Sequence, residues 1–299
     1  MRIGIDLGGT KIEAIAIDTG GVERFRKRVA TPAGDYEATV RAIKALVDDV
    51  ESNLVVSGSR VGVGMPGAMS PVTGLVKNAN STCLIGKPFN RDLEMALGRH
   101  VRVANDANCF ALSEAVDGAG AGHSVVFGVI VGTGCGGGIV VDGKVLTGSN
   151  AIAGEWGHNP LPWARAEELP GELCYCGKRG CIETFLSGPS LARDHLAKTG
   201  VRAEADQIGK LAKQGDVGAL ATLGRYEDRM ARALVGVINV LDPSIIVFGG
   251  GVSNIDHLYK SVPALFAQYA FSDRLNTSLV PAKHGDSSGV RGAAWLWPA

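Results

Sequence analysis

The sequence predicts an α/β protein built as two related halves, and three observations predict it. An apolar strand-like run, a glycine-rich turn and a second apolar run occur twice in the same order. Segments of helical periodicity separate such runs, which implies sheets covered by helices. The length, 299 residues, accommodates two cores at about 100 to 200 residues each.

The first copy of the repeat is Ile3-Gly4-Ile5-Asp6-Leu7-Gly8-Gly9-Thr10-Lys11, running into Ile12 to Ile17. The second is Val129-Ile130-Val131-Gly132-Thr133-Gly134-Cys135, running into Gly138 to Asp142. Between them, Tyr36, Val40, Ile43, Val47 and Val50 repeat at helical spacing behind Asp35, a residue suited to the N-cap. Arg60 to Met65 reads as a strand. Asn105-Asp106 precedes a helix to about Val116, with Asp106 where an N-cap belongs. Gly118-Ala119-Gly120-Ala121-Gly122 is the expected hinge, giving domains 1–118 and 119–286.

In the second half, Ser187 with Pro189 opens a helix that Gly200 closes, and Ala205 to Gln214 forms another. From Asp216, the positions Leu220, Leu223, Met230, Leu234, Val237 and Leu241 hold helical spacing until Pro243 stops it. Ser244 to Phe248 is then a buried strand ending in Gly249-Gly250-Gly251.

Lys plus Arg and Asp plus Glu both number 30, so no net field favours nucleic acid or an anionic membrane. A small-molecule partner is expected. The chain opens on a strand-like segment instead of a charged start and apolar core, and no apolar run approaches about 18 residues. The expected location is therefore the cytoplasm. Glycine, at 42 residues, is about twice its usual frequency of roughly 7%. The excess gathers in turns, where chemistry is to be sought.

Successive N–H groups in a tight glycine turn form a concavity for anions. Asp6-Leu7-Gly8-Gly9-Thr10-Lys11 adds a carboxylate for Mg²⁺, a hydroxyl and a cation, which together suit a triphosphate. Gly132-Thr133-Gly134 and Gly249-Gly250-Gly251 are further candidates, and tight turns alone are the alternative for any one of them. Gly132-x-Gly134-x-x-Gly137 and Gly62-x-Gly64-x-x-Gly67 fit the dinucleotide spacing, yet neither opens a helix as that fingerprint requires. Lys11 follows Gly-Gly-Thr, so no Walker A loop is present.

Of the six cysteines, Cys174, Cys176 and Cys181 crowd into eight residues with glycines that let the chain curl. With His158 as fourth ligand they would close a tetrahedron and leave no open position, the arrangement of a structural zinc site. The alternative is a set of reduced, buried thiols. Glu155 and Glu183 flank this loop, which spans 155–183, so folding it around an ion would bring the two carboxylates together.

On these motifs the sequence resembles the sugar kinases of the ROK family (repressors, open reading frames, kinases). It is most similar there to the bacterial fructokinases of manno-fructokinase type. The likeness extends through Met65-Pro66-Gly67, Lys77-Asn78-Ala79-Asn80-Ser81-Thr82, Asn105-Asp106-Ala107-Asn108-Cys109, Glu155-Trp156-Gly157-His158-Asn159-Pro160 and His284 to Ala294. It implies an actin-like ATPase (ribonuclease H-like) fold, with two similar domains around a central cleft and the C-terminal helix, within 287–299, packing back on the first domain.

The resemblance further implies that Asp106 is the general base and that Gly67, Asn105, Asp106, Glu155, His158 and Glu183 hold the sugar. Asp6 would organise Mg²⁺. Gly8, Gly9, Thr10, Lys11, Gly132, Thr133 and Gly134 would hold the phosphates of ATP, and Gly250-Gly251 would flank adenosine. His158, bound to zinc through one nitrogen, would offer the other to a sugar oxygen. The implied activity is transfer of the γ-phosphoryl of MgATP to the 6-hydroxyl of a hexose, fructose foremost, with glucose, mannose or N-acetylglucosamine as alternatives. A non-catalytic sugar-sensing regulator is the competing class, since the family includes DNA-binding repressors. Their N-terminal helix-turn-helix has no counterpart ahead of Arg2, and zero net charge also argues against nucleic acid. Oligomeric state is not legible, and a homodimer stands as one expectation.

Overall fold

The structure, a computed structural model, describes residues 1–298, so the last residue of the 287–299 segment lies outside the described residues. The chain runs β1 (Arg2–Leu7), β2 (Lys11–Ile17), β3 (Glu23–Ala30), α1 (Tyr36–Leu54), β4 (Arg60–Met65), β5 (Ala68–Met69), β6 (Val76–Lys77), α2 (Phe89–Leu97), β7 (Val101–Asn105) and α3 (Asp106–Val116). It continues through β8 (Val125–Val131), β9 (Cys135–Val141), β10 (Lys144–Val145), α4 (Glu183–Leu186), α5 (Gly188–Thr199), α6 (Ala205–Lys213) and α7 (Val217–Leu241). It ends in β11 (Ile245–Gly249), α8 (Leu258–Leu265), β12 (Ser278–Pro281) and α9 (Ser288–Trp295). These elements form two compact units, the first made of residues 1–122, 138–153 and the chain from Lys283 on, the second of 123–137 and 154–282.

In the first unit the sheet order is β3-β2-β1-β4-β7, with β1 antiparallel to β2 and parallel to β4, and β4 parallel to β7. Ile12, Ala14 and Ala16 of β2 face a core shared with Ile43 and Val47 of α1 and Phe89 of α2, whereas Ile15 and Ile17 pack on Val290 and Ala294 of α9. Helices on both faces explain why β2 is buried on both sides from Ile12 to Ile17, the ion-paired Glu13 included. Asp35 caps α1 through the Ala38 amide, 2.9 Å away. Helix α9 lies directly on the sheet because Gly4 and Gly62 have no side chains. A Cβ on Gly4 would fall 2.1 Å from the Val290 carbonyl, and one on Gly62 1.9 Å from that of Ala293.

The second unit holds β8, β11 and β12, with β11 parallel to both neighbours, in a sheet whose full order is β10-β9-β8-β11-β12. Strand β9 begins in this unit and ends in the first. Helices α5, α6 and α8 pack around α7, whose Asp216 cap accepts from Ala219. Ser187 caps α5, Pro189 lies in its first turn, and Gly200 ends it in the left-handed conformation (φ 73°). Among the described residues, no helix is long and apolar enough to cross a membrane.

Candidate active site and metal centre

Asp6 sits near the end of β1, opposite Glu13 of β2. Burial, then the charges of Asp106 and Glu13, push the Asp6 carboxyl up from 3.8 to about 6, against the smaller opposing effects of Lys11 and Arg28. Glu13 itself is 2% exposed and is neutralised by Arg26 and by Arg28 at 2.9 Å. The turn after Asp6 is closed by the Gly8 amide donating to the Lys11 carbonyl at 3.0 Å. The Thr31 hydroxyl donates to Gly8 O at 2.8 Å and its amide to Thr10 O at 3.0 Å, so the turn is braced from β3's end. Gly9, Thr10 and Lys11 are exposed.

At the start of α3 the structure corrects the capping assignment. The N-cap is Asn105, whose side-chain oxygen accepts from Ala107 N (2.9 Å) and Asn108 N (3.4 Å), and Asp106 is the first helical residue. Asn105 has the extended backbone that an N-cap needs (φ −63°, ψ 148°), which decides between two residues of equal capping ability. Its amide nitrogen donates to Gly67 O at 3.1 Å. Gly67 (φ 79°) leaves no space for a side chain, as a Cβ would fall 2.4 Å from Lys77 O. The exposed Asp106 and half-buried Asn105 therefore come together with Gly67, and Asp106 lies near enough to Asp6 to oppose its ionisation.

In the second unit, the Gly132–Gly134 turn joins β8 to β9, and Gly132 N donates to Gly134 O at 3.0 Å. Gly250 (φ 86°) follows β11 where its Cβ would fall 2.4 Å from Val131 O, so that glycine is demanded by the backbone, whereas Gly251 has open space. His158 ends a short 3₁₀ turn, Trp156–His158. Its ring nitrogen and the sulfurs of Cys174, Cys176 and Cys181 all lie within 4.8 Å of one another. His158 Nδ1 is 3.6 Å from Cys174 Sγ, and Cys176 Sγ is 3.6 Å from Cys181 Sγ. Those separations match the edges of a zinc tetrahedron, about 3.5 Å for N–S and about 3.8 Å for S–S from Zn–N near 2.0 Å and Zn–S near 2.3 Å. The cysteine loop is held by Cys174 N donating to Lys178 O (2.8 Å) and Leu161 N donating to Gly180 O (3.0 Å).

Glu155 is exposed and Glu183 half-buried, and both carboxylates act on Tyr175. Burial, then Glu183, then Glu155 push that phenol up to about 12. The two flanking acids thus both lie within electrostatic reach of Tyr175. Tyr175 is a residue that motif reading passed over. Its hydroxyl is 2.9 Å from His158 Nε2, the nitrogen that faces away from the cysteines. Its position between two ligand cysteines was the available signal. Thr31 and Gly188 give no such signal, because what they support lies 23 and 56 residues away.

Among curated proteins, the N-acetyl-D-glucosamine kinase of Photobacterium profundum is 39% identical over 300 residues, 99% of each chain. The solved ROK hexokinase of Thermus thermophilus is similar at a TM-score of 0.86 and 31% identity, covering 98% of this chain and 96% of that one. The ROK family glucokinase of Streptomyces griseus, solved with glucose and AMPPNP, is similar at 0.76 and 30% identity, covering 99% and 98%. These likenesses give the α/β fold its class, that of the actin-like ATPases. The ROK family pattern extends over residues 2–299, the same span along which the glycine turns, the Asn105-Asp106 pair and the cysteine loop follow one another, and the chain belongs to the ROK family.

Proposed function

We propose that this protein is an ATP-dependent hexose kinase that transfers the γ-phosphoryl group of MgATP to the 6-hydroxyl of N-acetyl-D-glucosamine. The observation that carries the kinase reading is the Asn105-Asp106 pair: Asn105 caps α3 through Ala107 N and Asn108 N, and Asp106, whose Oδ1 also accepts from Ala107 N at 2.8 Å, presents an exposed carboxylate at the helix start as the base. Support for the sugar comes from relatives named N-acetyl-D-glucosamine kinase at 39% and 40% identity over 99% of the chain. They replace the fructose expected from the motifs. The reason is physical: groups that hold ring hydroxyls common to hexoses carry no information about the substituent on carbon 2.

Asp106 takes the proton of the 6-hydroxyl as the oxygen attacks phosphorus, while Asn105, Gly67, Glu155 and Glu183 fix the sugar, joined by His158 once its Nε2 exchanges the Tyr175 hydroxyl for a sugar oxygen. Within the Gly8–Lys11 and Gly132–Gly134 turns the amides of Gly8 and Gly132 close the turn and the other N–H groups hold phosphate oxygens, while Gly250-Gly251 lies along the adenosine. Mg²⁺, organised by Asp6, supplies neutralisation of charge on those oxygens. Zinc held by His158, Cys174, Cys176 and Cys181 is structural, since four protein donors leave no position for water.

The test is kcat/KM on N-acetylglucosamine, glucose, mannose and fructose with MgATP. The highest value is expected for N-acetylglucosamine. Preference for fructose by about tenfold or more, a difference of about 1.4 kcal/mol at the transition state, overturns the sugar assignment. Sugar binding without turnover of any of the four overturns the kinase reading.

A further inference from the structure

We infer that Glu183 is a positioning residue for the Gly132–Gly134 turn, so that the cysteine loop sets nucleotide affinity as well as sugar affinity. This rests on the kinase reading above, which gives the turn to the phosphates.

Glu183 Oε2 accepts the Cys135 amide at 2.9 Å. Cys135 is the first residue of β9 after the turn and is 6% exposed, so its amide is largely shielded from water and depends on that bond. The carboxylate also lies over the turn itself, for a Cβ on Gly134 would fall 2.6 Å from Glu183 Oε2. At the turn's other end Gly132 O accepts the Gly188 amide at 2.8 Å. Residues 183 and 188 therefore grip both ends of one turn.

That gripping segment starts at a metal-donor residue. Cys181 O accepts the Thr184 amide (2.9 Å) and hydroxyl (2.7 Å), and Cys181 Sγ belongs to the His158–Cys174–Cys176–Cys181 cluster. Glu183 O accepts Ser187 N and the Ser190 hydroxyl, both at 3.1 Å, which locks the backbone under the carboxylate. A displacement of Cys181 thus reaches Cys135 through two residues of hydrogen-bonded chain.

A negative charge beside a phosphate turn would by itself weaken nucleotide binding, so the sign of the effect separates two roles. If charge dominates, removing it tightens binding in every variant. If positioning dominates, Glu183→Gln keeps an oxygen that accepts from Cys135 N and leaves affinity at the wild-type value, whereas Glu183→Ala loses the anchor and weakens binding.

The experiment is calorimetric titration of Mg-AMPPNP without sugar, so that any sugar contact of Glu183 is not read. Expected are equal affinities for wild type and E183Q, and a loss of about tenfold for E183A, within the usual range of site-to-site coupling. Wild type stripped of metal should match E183A and recover on adding zinc. Equal or tighter binding by E183A overturns the inference. Hydrogen exchange of the Cys135 amide reads the anchor separately, with faster exchange expected in E183A and not in E183Q. A wild type that binds no nucleotide overturns the kinase reading, and unchanged Cys135 exchange in E183A overturns the anchor. Should E183A not fold, Gly134→Ala displaces the same carboxylate from the turn's side, and wild-type affinity in that variant overturns the inference.

Discussion

Asn105 Oδ1 and the Ala107 amide, 2.9 Å apart, close the first turn of α3 and leave Asp106 inside the helix rather than at its cap. Asp106→Asn therefore leaves the cap in place and removes only an anion at the helix N-terminus, worth at most about 1 kcal/mol. If Asp106 is the base, an amide cannot replace it, and kcat should fall by on the order of 10² to 10⁴. Saturating kinetics and a thermal melt of D106N check both halves. Retention of more than about a tenth of wild-type kcat would return Asp106 to a structural part.

Asp6 gives a pH signature. Its carboxyl is pushed up from 3.8 to about 6 by burial, then by Asp106 and Glu13, so between those values the folded protein holds a proton that the unfolded chain has released. Stability contributed by the neutral form is thus lost as pH rises through this window, and above about 6 the buried charge is carried in full. Asp6→Asn should be more stable than wild type at pH 7 to 8, with the difference closing below about pH 4. Nucleotide affinity should move the other way, weakening in wild type as Asp6 protonates and absent at all pH values in D6N. Thermal melts across pH decide, and curves that stay parallel would remove the buried charge from the account.

The cysteine loop should hold about one zinc per chain, because four donors within 4.8 Å of one another would form a closed site. Cys174→Ser should lose the ion and lower the melting temperature, since metal-binding free energy is also folding free energy. Sugar affinity should fall with it, as Glu155 and Glu183 flank the loop. Elemental analysis of protein prepared without chelator is the measurement. Metal near zero in folded, active protein sinks the assignment.

How far these features were legible in the sequence depends on how local their physics is. Helix ends with their own chemistry, such as Asp35, Ser187 with Gly200, and Asp216, stand where the sequence places them. The neighbours Asn105 and Asp106 can both cap, so only the backbone angles decide, and those follow from where β7 ends. The four candidate metal donors are legible because soft ligands at short spacing have few other uses. The bond from Cys135 to Glu183 spans 48 residues and leaves no pattern in either segment. The sugar is illegible for a different reason, because the side chains that the motifs pick out are those proposed to meet what hexoses share.

Gly292 and Cys109 supply a test of how α9 meets α3. A Cβ on Gly292 would fall 1.6 Å from the Cys109 carbonyl oxygen and 2.4 Å from its carbon, both backbone atoms of a helix that cannot yield. Helix propensity alone favours Gly292→Ala by about 1 kcal/mol. Overpacking costs about 1 to 3 kcal/mol, and occasionally more where backbone must shift. The clash should win, giving net destabilisation. Gly224→Ala in α7 provides the control, since nothing lies within 4 Å of its Cβ position and only the propensity gain applies. The same substitution should therefore lower the urea midpoint at residue 292 and raise it at residue 224. Because α3 begins at Asp106, G292A should also reduce kcat in the fraction that folds, whereas G224A should leave it unchanged. Equal midpoints for G292A and wild type would show that α9 does not approach α3 this closely.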